Sequence, residues 1–175
     1  SSQPWATNML TYVYGKQGVP TSYREQDGFG VHAYKLYNDK GEYKYVKFNF
    51  RSKQGVKGLN VKEAAEQQGK DFNHLTNDLY NNIYAGNFPK WDLYIQLAEQ
   101  GDEINNPTVL WPENRPRILV GQVVIDGKRD SEPQVQQCDR SIFNPLLLPK
   151  GIAASDDPIL NARTAAYVES FIRRQ

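Results

Sequence analysis

The chain has 175 residues, with 21 Lys plus Arg against 20 Asp plus Glu and a net charge of +1. That length suffices for one domain with a real core, and the balanced charge argues against a nucleic-acid binder, which needs a basic stripe. No apolar run approaches the ~20 residues of a membrane span, no secretory leader pattern opens the chain, and the single Cys138 cannot form an internal disulfide.

Met9-Leu10-Thr11-Tyr12-Val13-Tyr14 is an apolar-aromatic run with no visible cap. Gly15 to Pro20 is turn chemistry, and Asp27-Gly28-Phe29-Gly30 is a second turn. Val31–Tyr37 and Tyr43–Phe50 are rich in aromatic and β-branched residues, and Val46, Phe48 and Phe50 fall on one face. Asn38-Asp39-Lys40-Gly41 between them reads as the loop of a β-hairpin.

Asn60-x-x-Glu63 has capping-box spacing and opens a short helix to about Gln68, stopped by Gly69. Asp71 caps a further helix whose Phe72, Leu75, Leu79 and Ile83 share a face, ending at Gly86. Trp91–Leu97 and Arg117–Ile125 are strands, with irregular chain over 99–116 between them. Residues 126–140 are polar and turn-rich, and Phe143–Pro149 is an apolar loop bracketed by prolines. About four strands with inserted helices make an α+β, antiparallel β-rich chain. Its sheet edges need a cover, so an oligomer or a second chain is expected.

The last stretch, Asp156-Asp157-Pro158-Ile159-Leu160-Asn161-Ala162-Arg163-Thr164-Ala165-Ala166-Tyr167, starts a helix with Asp before Pro. Arg163 and Tyr167 stand four apart and share a face. A guanidinium beside a phenol favours the phenolate, and a phenolate oxygen in an apolar wall can ligate ferric haem iron. The plain alternative is a packed ring beside a snorkelling cation. There is no Gly-x-Ser-x-Gly and no His-Glu-x-x-His, and two His with one Cys make a zinc site improbable.

Several blocks in order extend this. They are Gly18-Val19-Pro20 with Gly28-Phe29-Gly30-Val31-His32, then Val46-Lys47-Phe48 with Gln54-Gly55-Val56-Lys57-Gly58-Leu59. Gly86-Asn87-Phe88-Pro89-Lys90-Trp91-x-Leu93-Tyr94-Ile95-Gln96, Pro107-Thr108-x-x-Trp111-Pro112 and Val120-Gly121-x-Val123-Val124-Ile125 follow. Ending on Arg163-x-x-x-Tyr167, this order resembles the haem catalases.

The resemblance implies the antiparallel β-rich half of a catalase-like barrel with inserted helices and a C-terminal proximal helix. It reads as one segment over 1–175: second half of the barrel over 1–126, a wrapping loop over 127–155, and the haem-ligand helix over 156–175. It implies Tyr167 as axial ligand of haem b iron, with Arg163 holding its phenolate. Arg174 would reach a propionate, Phe143, Ile159 and Ala166 would line the haem, and His32 with Val31 would lie near its edge. The family's distal His and Asn come from strands upstream of the matched segment, so no catalytic residue is expected within this chain.

Departures are also plain. Val168-Glu169-Ser170-Phe171 stands where catalases carry Pro-Asp-Thr-His, Asp126-Gly127-Lys128-Arg129 replaces Asn-Arg-Asn-Pro, and Asn49 replaces a His. Gln17 and Asn8 stand where dinucleotide-binding members carry Arg and His, so NADPH is not expected. His74 is expected on the surface.

The implied function is peroxide decomposition only with a chain supplying the distal half. The alternatives are a catalase-derived haem-binding, storage or structural protein, or a catalase-like allene oxide synthase. A second chain or a homo-oligomer is the expected partner, without nucleic acid or membrane, and a family-like location would be peroxisomal or cytosolic.

Overall fold

A computed structural model describes residues 3–127 and 131–174. The chain forms an α+β fold on a six-stranded antiparallel sheet. Its strands are β1 (Gly28–Phe29), β2 (Tyr34–Tyr37), β3 (Tyr43–Ser52), β4 (Lys90–Leu97), β5 (Ile118–Val124) and β6 (Ile152–Ala154). Their order is β5-β4-β3-β2-β6, with β1 pairing β3. The helices are α1 (Thr7–Val13), α2 (Val61–Lys70), α3 (His74–Tyr84), α4 (Glu132–Asp139) and α5 (Pro158–Arg173).

The residues group into two compact units. The first comprises Ser1–Gly28, Phe50–Leu93 and Gly121–Lys128. In it the carboxylate of Asp78, on α3, accepts from Arg24 Nε at 2.9 Å and Nη2 at 3.1 Å. The Ser22 hydroxyl donates to the same carboxylate, so one partly buried polar knot ties α3 to the 3-10 turn Tyr23–Glu25. Asn60 and Glu63 form the expected capping box, Asn60 Oδ1 accepting from Glu63 N at 3.0 Å and Glu63 Oε2 from Asn60 N at 2.7 Å.

The second unit comprises Phe29–Asn49, Tyr94–Val120 and Arg129–Gln175. Its hairpin register pairs Tyr34 with Val46 and Tyr37 with Tyr43. The turn closes because Asn38 Oδ1 accepts from the Lys40 and Glu42 amides at 3.0 Å each, while Gly41 takes a φ of 80° that favours glycine. β6 runs antiparallel on the other side of β2, Tyr34 opposite Ala154 and Leu36 opposite Ile152, and this delivers the chain to the start of α5. Ala33, Val46 and Leu160 are fully buried there.

Several expectations are corrected. The first strand begins at Tyr34, not Val31, because His32 and Ala33 turn into the core off the ladder. The second runs on to Ser52, and its alternation hides two buried polar side chains, Lys47 and Asn49, opposite the apolar face. α2 continues through Gly69 to Lys70. α3 starts at His74 rather than at Asp71, whose Oδ1 instead accepts from Asn73 N at 2.9 Å, and Phe72 is left 81% exposed. The turn-rich reading of 126–140 misses α4, and β6 is an added strand. The opening apolar-aromatic run, for which the sequence reading names no element, is helical over Pro4–Ala6 and α1. Lys128 and Arg129 of the altered Asn-Arg-Asn-Pro segment lie outside the described residues. His74 is half-buried, its Nε2 at 2.9 Å from the Thr21 carbonyl oxygen, which makes it a structural contact rather than a surface residue.

Candidate functional site

α5 carries the site, and its first turn explains why it sits where it does. Asp157 is fully buried and serves as N-cap, Oδ1 accepting from Ile159 N at 2.8 Å and Leu160 N at 3.2 Å. Pro158 takes the next position, where no amide proton is needed. The other carboxylate oxygen, Oδ2, lies 2.6 Å from Nδ1 of the buried His32, so that nitrogen donates to it. Burial alone pushes the Asp157 carboxyl up. The hydrogen bonds from His32 and the two helix amides together outweigh this and hold it below the usual carboxylate range.

Two turns further on, Arg163 Nη2 donates to the Tyr167 hydroxyl at 2.8 Å, with the guanidinium carbon 5.4 Å from the ring centroid. Both side chains are only partly buried. Ile159, Ala162 and Ala166 lie on the same helical stripe at spacings of three and four, and all are exposed, Ile159 at 48%. The alanines leave that stripe shallow on either side of the phenol. The stripe thus presents a hydrogen-bonded phenol oxygen within apolar surface.

Tyr34 on β2 was not foreseen as part of this region. Its hydroxyl donates to the Pro145 carbonyl at 3.4 Å, attaching the apolar 143–149 loop to the sheet. Burial pushes its phenol up, against the pull of the Arg163 cation. Phe143 in that loop is 63% exposed and Val31 is 51% exposed. Arg174 Nη2 donates to the Ser141 carbonyl at 3.2 Å, which brings the start of the loop to the C-terminal end of α5.

Arg163 and Tyr167 are thus joined directly, with Ile159 and Ala166 beside them by helical spacing. His32 is spent on Asp157 rather than presented outward. Sequence reasoning gave Asp157 its capping role and missed its pairing with His32, because the two lie 125 positions apart. The residue types offered a signal: a capping Asp has a second oxygen, and the chain has only two His to meet it. Among the described residues no group of three or more His, Cys, Asp or Glu could hold a metal ion. No helix there is long and apolar enough to cross a membrane.

The chain is 46% identical to a catalase of Vibrio vulnificus strain YJ016 over 99% of its own length and 35% of that protein's. Against a catalase of Pseudomonas aeruginosa the identity is 42%, over 99% of this chain and 34% of the relative. The chain therefore spans about a third of the length of these relatives. Its fold matches a fungal catalase crystal structure at a TM-score of 0.85 and 30% identity, over 95% of this chain and 34% of that one. Catalase A from Saccharomyces cerevisiae matches at 0.85 and 28%, over 95% of this chain and 35% of that one. The family model described as Catalase matches residues 1–175, and the chain belongs to that family.

Proposed function

We propose that this chain is the proximal, haem-holding part of a catalase, and that it decomposes hydrogen peroxide only together with polypeptide supplying the distal His and Asn. The carrying observation is the 2.8 Å hydrogen bond from Arg163 to the Tyr167 oxygen beside an exposed apolar stripe. A haem suits that donor set: a flat apolar ligand for the stripe, and a metal for the oxygen. Tyr167 would ligate it, Ile159, Ala166, Phe143 and Val31 would line it, and Arg174 would meet a propionate. Bound haem supplies the redox-active iron.

The chain's own residues do the rest. Arg163 holds the Tyr167 oxygen in place by donating to it. Asp157 keeps the His32 Nδ1 proton in place and fixes the start of α5, so the phenol is carried on an anchored helix. Nothing in this set moves a proton on peroxide, which is why a distal partner is required. Coverage of about a third of its relatives' length supports the same reading.

A second reading, a catalase-derived haem protein without turnover, is favoured by Val168-Glu169-Ser170-Phe171 in place of the family's Pro-Asp-Thr-His. One experiment separates the two. The chain is titrated with haemin, followed by its visible spectrum, and then assayed for oxygen release with and without a chain carrying a catalase distal half. A tyrosinate-type ferric spectrum with activity only in the mixture supports the first reading. The same spectrum without activity in either supports the second. No spectrum, or one unchanged in Tyr167→Phe, removes both.

A further inference from the structure

The closed end of the β2–β3 hairpin carries two charged side chains that the haem-side reading does not use. Asn38 N donates to the Glu42 carbonyl at 3.0 Å, so the ladder runs one step beyond the Tyr37–Tyr43 pair. Alternation along an extended strand therefore puts Glu42 and Lys44 on one face, their Cα atoms roughly 7 Å apart. Leu36 stands directly opposite Lys44.

The Asn38 side chain holds Glu42 twice. Its Nδ2 donates to Glu42 Oε2 at 2.7 Å, and its Oδ1 accepts from the Glu42 amide at 3.0 Å. The carboxylate is thus positioned by a neutral donor, which leaves its charge uncompensated. Among the described residues neither Glu42 nor Lys44 forms an ion pair, although Asp39 and Lys150 at the same turn pair with each other at 3.5 Å.

Both charges line a cavity of about 720 Å³. That is within the range of roughly 300–1,000 Å³ typical of small-ligand sites. The half-buried Leu36 and Leu97 give it an apolar floor. Gly151 forms a further wall, with a φ of 95° that favours glycine and a carbonyl that accepts from Tyr37 N at 2.9 Å.

We propose that this cavity binds a free apolar α-amino acid, its ammonium paired with Glu42, its carboxylate with Lys44 and its side chain against Leu36 and Leu97. A zwitterion answers both charges at once, whereas a plain anion is repelled by Glu42 and a plain cation by Lys44. The site does not rest on haem.

The test uses the full chain with L-leucine as probe, followed by calorimetry. N-acetyl-leucine and leucinamide are the controls that lack one charge each, and glycine is the control that lacks the apolar body. L-Leucine is expected to bind saturably at one site and all three controls more weakly. Glu42→Gln keeps an acceptor for Asn38 and removes the charge. It should weaken L-leucine by up to about fivefold, the range for an exposed ion pair, and leave N-acetyl-leucine unchanged. Lys44→Met should weaken L-leucine to a similar degree and leave leucinamide unchanged. Both positions are exposed, and circular dichroism checks that each variant folds. Three results each overturn the proposal: no L-leucine binding to the unaltered chain, unchanged L-leucine binding in both variants, or glycine binding as tightly as L-leucine. N-acetyl-leucine or leucinamide binding as tightly as L-leucine would overturn the zwitterion assignment in favour of a simple acid or a simple amine.

Discussion

The first turn of α5 and the turns around Tyr167 belong to one helix and are built on opposite terms. At Asp157 every oxygen is engaged, the residue is sealed from solvent, and its partner His32 is sealed with it. At Tyr167 the polar pair is local, partly open, and flanked by exposed apolar side chains. The first region stores stability, while the second leaves surface uncovered and so available to a ligand.

The largest stability loss is expected from Asp157→Ala. It removes the cap, typically worth about 1 kcal/mol, and orphans a buried imidazole N–H at about 1–3 kcal/mol more. A drop of about 2–4 kcal/mol in urea unfolding is expected, and a loss under about 1 kcal/mol would show that the sealed end is not the anchor.

The acid limb sharpens the contrast next. Because the Asp157 carboxyl is held below its ordinary value, its contribution is present above the unfolded carboxylate range near 4 and is lost as pH falls through the folded value. Asp157→Asn should therefore flatten the acid side of the stability-pH curve, measured by urea midpoints at a series of pH values. An unchanged slope would assign acid sensitivity elsewhere, Asp78 being the next candidate because hydrogen bonds from Arg24 and Ser22 outweigh its burial and hold it low as well.

Tyr167→Phe should cost less than about 1 kcal/mol, since it deletes one partly exposed hydrogen bond, yet remove the ferric-tyrosinate spectrum. A large stability loss here would erase the distinction between the two regions. The smallest stability effect, within about 0.5 kcal/mol, is expected for Ala166→Leu on the exposed stripe. Its haem affinity should still fall, because added bulk occupies the surface a flat ligand would cover.

What could be read from the sequence was what is local. The hairpin around Asn38 and Gly41, the Asn60–Glu63 box and the Arg163–Tyr167 pair depend on neighbours within a few positions, and the structure forms each of them. Lys47 is beyond that logic: it lies off the face that Val46, Phe48 and Phe50 share, and only tertiary packing buries it. β6 is three residues long and has no alternation to detect; only its pairing with β2 makes it a strand. The His32–Asp157 pair is invisible to any window of sequence.

That pair also bears on the order in which the chain folds. Its partners are 125 residues apart, and closing a loop of that length costs on the order of 4 kcal/mol in chain entropy. The Arg163–Tyr167 contact needs only about one helical turn, and helix formation takes on the order of 0.1–1 microsecond. The phenol and guanidinium therefore meet early, on a helix that has yet to dock. The clasp at its foot closes late, once β2 and β3 have paired and the long closure can be repaid.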